Sequence, residues 1–246
     1  MKKNLIYVLA ILLTSYVGAY PNCGELVPQR ILKRADEARG YLEGVRWKVS
    51  IHAVEDKRIQ KRKLEVKAKG YDFLAVLNSP PKVKGQKFLM INHNMWFSKP
   101  GLRKPVPVSP KQKLVGLSSY GDIAATNYAD DYEARCLEDE MVEGELCYVF
   151  DLKACHKRAT YDRIKYWVSK DRLVGVKAQY FAVSGKMLKS AVFEYDNQIL
   201  LWNEPHPFIS RMIIYDALVE GNVTSLTLSK PKLIPVPPST FDINLF

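Results

Sequence analysis

The 246 residues include 37 Lys and Arg against 26 Asp and Glu, a formal charge of +11, with 47% hydrophobic and 11% aromatic residues. That composition excludes a disordered chain and supports a packed globule. The basic balance is either a solvated surface without a partner or a preference for anionic partners such as lipid headgroups over nucleic acid.

The first element is an export signal. Lys2 and Lys3 precede an uncharged apolar run from Leu5 to Val17, and Val17-Gly18-Ala19 supplies small residues for cleavage after Ala19. A run of about 13 residues is too short to cross a bilayer as a helix. Tyr20-Pro21-Asn22 lacks the small residue needed before a lipid-modified Cys23. The expected product is residues 20–246 as a single domain in the periplasm. Four cysteines, Cys23, Cys136, Cys147 and Cys155, enter that oxidising compartment. A hairpin turning at Glu143-Gly144 sets Cys136 near Asp151 rather than Cys147, so their pairing stays open.

A helix follows, with Pro28 in its first turn, Ile31, Leu32, Ala35 and Ala38 on one face, and Gly40 as its stop. The rest reads mainly as strands. Trp47, Val49, Ile51 and Ala53 alternate with Arg46, Lys48, Ser50 and His52, and Leu64, Val66 and Ala68 alternate with Lys63, Glu65 and Lys67. This period of two marks strands with one wet face. Further strands are expected at Phe73–Leu77, Lys87–Ile91, Met95–Phe97, Leu146–Leu152, Ile164–Val168, Val174–Ala182, Lys189–Tyr195, Phe208–Tyr215 and Val223–Leu228. Turn residues at Lys69-Gly70, His93-Asn94, Glu143-Gly144, Ser184-Gly185, Asp196-Asn197 and Glu220-Gly221 make successive strands antiparallel neighbours. A sheet of that many strands must curl or close.

Between Pro100 and Pro110, Pro105 and Pro107 confine the chain to a sheet edge. Next, Ser119 and Asp122 have capping-box spacing, and Ile123, Ala124, Tyr128 and Tyr132 form a stripe. The expected fold is mainly β: an unclosed antiparallel barrel with an N-terminal helix and a helical lid over an apolar cavity. Trp47, Val49, Ile51, Leu64, Phe73, Phe88, Met90, Tyr148, Phe150, Phe193, Met212 and Ile214 share the apolar parity. They suit a solid core or the lining of a ligand cavity. The lid is expected to be mobile and to become ordered over ligand, because so short a stripe makes no stable helix alone.

No catalytic motif, cofactor loop or metal-ligand spacing is present. His52, His93, His156 and His206 are scattered without acid partners and read as surface or turn residues. An outer-membrane barrel is excluded, since Asn244 and Asp242 alternate back from Phe246 where lipid-facing residues belong.

Met95-Trp-Phe-Ser-Lys-Pro-Gly-Leu-Arg-Lys-Pro105 and Gly121-Asp-Ile-Ala-Ala-Thr-Asn-Tyr-Ala-Asp-Asp-Tyr132 resemble the outer-membrane lipoprotein-sorting protein family, relatives of the periplasmic lipoprotein carrier LolA. Gly85–Met90 and Thr160–Lys170 are similar to the same family, and the likeness runs from about Ile31 to Phe241. The resemblance implies an unclosed barrel under helices. It also implies a non-enzymatic role in binding lipoprotein acyl chains or another lipid, with transient membrane contact and an inner-membrane transporter as partner. The alternative is a lipid- or lipoprotein-sensing adaptor of an envelope-stress or transporter system.

Overall fold

The computed structural model describes residues 28–124 and 126–246. The expected export signal and Cys23 lie outside the described residues. Helix α1 spans Pro28–Glu37 and buries Ile31, Leu32 and Ala35. Strands β1 (Val45–Glu55), β2 (Arg58–Lys69), β3 (Asp72–Ser79), β4 (Lys87–Ile91), β5 (Asn94–Ser98) and β6 (Val106–Val108) meander outward from β1 to a free edge. Pro107 lies in that edge strand opposite Trp96, so its missing N–H faces away from the ladder.

The chain then crosses to the opposite edge. It passes through a small hairpin, β7 (Lys113–Val115) and β8 (Ser118–Ser119), and two single helical turns, α2 (Gly121–Ala124) and α3 (Tyr128–Asp131). Strand β9 (Tyr132–Val142) forms the second edge, and β10 (Glu145–Ala154), β11 (Arg163–Ser169), β12 (Gly175–Phe181) and β13 (Met187–Glu194) return toward the middle. After a side hairpin of β14 (Asn197–Leu201) and β15 (Glu204–Phe208), β16 (Arg211–Asp216) and β17 (Val223–Leu233) complete the sheet. Its thirteen strands run β6-β5-β4-β3-β2-β1-β17-β16-β13-β12-β11-β10-β9, and β1 pairs with β17 at the centre. The sheet is mainly antiparallel and does not close, in agreement with the sequence reading.

Apolar residues of one parity, from Val66, Phe88 and Trp47 through Ile214 to Phe150, form one buried cluster with α1 on the concave side. Leu89, Val236 and Phe241 form a separate outer cluster, where the C-terminal tail covers the back of the sheet. Cys147, Val149, Trp167 and Val176 make a third, on the outside of the returning half. Cys136 is disulfide-bonded, whereas Cys147 and Cys155 are free thiols. Among the described residues no helix is long and apolar enough to cross a membrane.

Strand β9 was not expected, and three further regions differ from expectation. The segment from Ser119 to Tyr132 is two separate turns rather than one helix. Thr126 and Asn127, poor helix formers, are buried between the turns, and Tyr132 already has extended backbone. Phe208–Tyr215 is broken at Ile209-Ser210, where the Ile209 N–H leaves the ladder for the Ala38 carbonyl (2.8 Å). The β14–β15 hairpin escaped notice because Trp202 and Asn203 form its turn at φ of 50° and 66°. Tryptophan is not a residue that announces such a turn.

Gly116, at φ of 57°, lets the β7–β8 hairpin lie on the centre of the sheet. A Cβ there would sit 2.3 Å from the Ala53 Cβ and 2.4 Å from the Thr224 Oγ1. Gly116→Ala therefore adds both backbone strain and a clash. It should lower unfolding stability by about 1–3 kcal/mol in urea titration.

Candidate functional site

The concave face is a trough roofed by α1, α2 and α3. Its floor contains all the apolar residues expected from parity: Trp47, Val49, Ile51, Leu64, Phe73, Phe88, Met90, Phe150, Phe193, Met212 and Ile214 are at most 5% exposed, and Tyr148 is partly buried against them. From the roof, Ile123 and Tyr128 are buried and Ala124 is half-buried in the same cluster, which also takes in buried Tyr132 at the start of β9. The expected set thus meets in one place. The space bounded by Arg39, Trp47, Val49, Ile123 and Met212 measures about 10 Å³, at the lower limit of what one water molecule needs. The cover is docked in this conformation, because α1 and the tyrosines fill the trough.

Charged residues inside the trough were not foreseen. Asp36 and Arg39 are 1% and 3% exposed. They follow Leu32 and Ala35 by four residues, the spacing that places them on the apolar stripe of α1 and its extension. Asp36 Oδ2 accepts the Ala129 N–H at 2.8 Å, tying α1 to α3. The Arg39 guanidinium lies 4.7 Å from the Tyr128 ring centre and 4.9 Å from that of Phe193, in cation–π geometry. Its Nε and Nη1, together with Trp47 Nε1, make no hydrogen bond to the protein. Tyr128 also stacks edge-on against Tyr132 and Tyr166, and its hydroxyl is 3.4 Å from that of Tyr180. Burial pushes the hydroxyls of Tyr132, Tyr166 and Tyr180 well above the usual phenol range.

The second attachment centres on Asp122. Its Oδ2 receives the Ser119 N–H (2.7 Å), the Ser119 hydroxyl (3.0 Å) and Lys189 Nζ (2.7 Å), and its Oδ1 receives the Tyr161 hydroxyl (2.5 Å). The Ser119–Asp122 spacing read from the sequence therefore makes the backbone bond of a capping box, and a strand lysine completes it. Lys189 Nζ also donates to the Leu117 carbonyl at 2.7 Å. The lysine and aspartate side chains are only 8% and 1% exposed.

An open groove of about 690 Å³ adjoins the trough. Tyr41, Leu42, Leu201, Trp202, Leu233 and Ile234 contribute to its walls. Leu42 and Leu201 belong to the concave core as well, so groove and trough share a wall. The hairpin tip beside it exposes Leu200 (62%) and Trp202 (82%). Elsewhere, His93 and His156 do have an acid partner, contrary to the sequence reading: both meet Asp131, at 3.5 and 3.1 Å.

A LolA superfamily protein from Nitrosomonas europaea is 30% identical in sequence, superposes with a TM-score of 0.79, and is matched over 88% of this chain and 98% of its own. The chain belongs to the LolA superfamily. A family model described as "Uncharacterized protein" matches residues 69–244 of this LolA superfamily member. Two further solved structures share its fold at a TM-score of 0.73. A DUF1329 family protein from Desulfovibrio piger is 20% identical, over 87% of this chain and 95% of its own. An outer membrane lipoprotein-sorting protein domain from Vibrio parahaemolyticus is 18% identical, over 87% and 97%. Human Serpin B8 is 29% identical over 116 residues, 44% of this chain but only 28% of the serpin. The chain thus spans little more than a quarter of that curated relative.

The ion pairs of the roof give two measurable consequences in this superfamily member. Lys189→Met leaves Asp122 as a buried charge without its cation, and should cost about 3–5 kcal/mol in urea unfolding. Arg34→Ala, which removes an exposed pair with Glu37 (3.1 Å), should cost less than about 0.5 kcal/mol.

Burial drives the Asp36 carboxyl well above its ordinary range, outweighing the Ala129 N–H and Arg39. A raised carboxyl favours the fold fully below its unfolded value, about 3.9, and loses that contribution as pH climbs through the folded value. Asp36→Asn keeps an acceptor for Ala129 without the charge. It should raise the melting temperature at pH 7–8 by about 2–4 °C, the shift that about 1 kcal/mol produces at this size. The gain should vanish near pH 4.

Proposed function

We propose that the protein is exported to the periplasm and carries acyl chains of a lipoprotein or another lipid, without catalysing a reaction. The observation that carries this reading is the pairing of a continuous apolar trough with a roof that rests on it through apolar side chains and is located by a few polar contacts. Lifting the roof exposes apolar floor, and an acyl chain can replace the lost contacts at roughly 0.8 kcal/mol per buried methylene. The unpaired N–H groups of Arg39 and Trp47 suit the ester or carboxyl oxygens of such a molecule. The open groove is the mouth, and its volume lies in the usual range for a ligand site. In this scheme the cargo arrives from one membrane or an inner-membrane transporter and leaves to another membrane.

The second reading is a lipid-sensing adaptor, favoured by the exposed Leu200 and Trp202 at the mouth. Under it, cargo alters affinity for a protein partner rather than passing to an acceptor bilayer.

Mass spectrometry of protein purified gently from its native envelope should find acyl-bearing lipid. Recovery of none, together with failure to bind a fluorescent fatty acid, overturns both readings. Because the roof is docked in the structure, bound lipid should loosen it rather than order it, reversing the expectation from its short stripe. Amides of α2 and α3 should accordingly exchange faster with lipid than without. Equal protection in both states refutes the moving roof.

A further inference from the structure

We propose that His93, Asp131 and His156 form a binding site for a divalent transition metal of the imidazole-preferring class, with zinc as the representative ion. The three residues come from distant turns. His93 sits in the β4–β5 turn at φ of 65°, Asp131 ends α3, and His156 follows β10. Folding brings His93 Nδ1 within 3.5 Å and His156 Nε2 within 3.1 Å of the same oxygen, Asp131 Oδ1. All three donor atoms lie within 4.8 Å of one another. Ligands held about 2.0–2.1 Å from a tetrahedral ion stand roughly 3.3 Å apart, so the two shorter separations already match that geometry.

The donor set selects the ion class. Two imidazoles and one carboxylate suit zinc, copper or nickel over calcium or magnesium, which take oxygen ligands. Three protein ligands leave a position for water or a fourth donor. The side chains of His93, Asp131 and His156 are 25%, 5% and 34% exposed, so the carboxylate is shielded while both rings remain reachable by an ion. The surroundings restrain the ligands. The Tyr71 ring packs 4.5 Å from His93, and its hydroxyl donates to Asp130 Oδ2 at 2.8 Å. The Asp131 carbonyl accepts the Cys155 N–H at 2.9 Å, fixing α3 beside the residue that precedes His156.

The position gives the metal a mechanical consequence. His93 belongs to the outgoing half of the sheet, whereas Asp131 and His156 flank the first strands of the returning half. An ion there joins the two halves across the unclosed side and pins the last turn of the roof. This clasp role rests on the carrier reading; metal binding itself does not.

Isothermal titration of untagged, chelator-stripped full chain with zinc chloride should show one site. His93→Gln and His156→Gln should each weaken it by about tenfold or more. A His52→Gln/His206→Gln variant, altering the other two histidines, should bind like the parent. Cobalt should give the visible absorption of a tetrahedral complex in the parent and lose it in both single variants. Circular dichroism checks that each variant is folded. No zinc binding by the parent, or unchanged binding by the folded His93→Gln and His156→Gln proteins, overturns the site. Zinc should also slow hydrogen exchange in α3. Binding without that slowing overturns the clasp and leaves the site standing, and a zinc-binding protein that takes no lipid removes the carrier reading alone.

Discussion

An antiparallel sheet whose two edges do not meet cannot bury its own concave face. That constraint organises the molecule. A closed barrel would finish its ladder and fill its interior from the strands alone. Here the edges are β6, with Pro107, and β9, which carries Glu138, Asp139 and Glu140. A proline and a run of acids both discourage continuation of the sheet. The trough must therefore be covered by segments outside this sheet. The chain supplies α1 before β1, and the β7–β8 hairpin, α2 and α3 from the crossing between the two halves.

The cover differs in kind from the floor. Floor residues such as Trp47, Phe150 and Ile214 are held by cross-strand ladders and by each other. The cover rests on the same apolar surface, but named polar contacts locate it: the Asp36 carboxylate on the Ala129 N–H, and Asp122 on Lys189 and Tyr161. Buried ionic contacts of this sort add little net stability, because desolvation offsets most of their attraction. They are geometrically demanding, however, and so fix where the cover sits. Apolar contact can be exchanged for contact with another apolar body, whereas a carboxylate must find its own donors again.

How much of this was legible depended on whether the signal was local. In β1 the alternation of Trp47, Val49 and Ile51 with Lys48 and Ser50 exposes both the strand and its buried face. The edge position of Pro107 follows from its missing N–H. Strand β9 was hidden because its alternation is short: Tyr132, Ala134 and Cys136 face the core between Glu133 and Arg135, but the acidic run Glu138 to Glu140 beyond them is exposed on both faces. The roof was misjudged as one helix since Ile123, Tyr128 and Tyr132 keep a helical stripe across a break, the last of them from a strand. Asp36 and Arg39 did leave a signal, as charges at helical spacing behind Leu32 and Ala35. The meeting of His93 with His156 left none, for it depends on the curl of thirteen strands bringing two turns together.

These observations converge on α3, a helix of four residues. A single turn has no stability of its own, so its place is decided by what it touches. Each residue touches something different. Tyr128 meets Arg39 inside the trough, and the Ala129 N–H binds Asp36 of α1. Asp130 accepts the hydroxyls of Tyr41 (3.3 Å) and Tyr71 (2.8 Å), while Asp131 faces both imidazoles at the unclosed side. The turn therefore joins the interior, the N-terminal helix and both halves of the sheet within about 6 Å of helix axis. Displacing Tyr128 from the trough moves the same rigid turn that presents Asp131 to His93 and His156. Through that turn, whatever enters the trough and whatever holds the histidines act on one equilibrium, and each must change the other's affinity by the same factor.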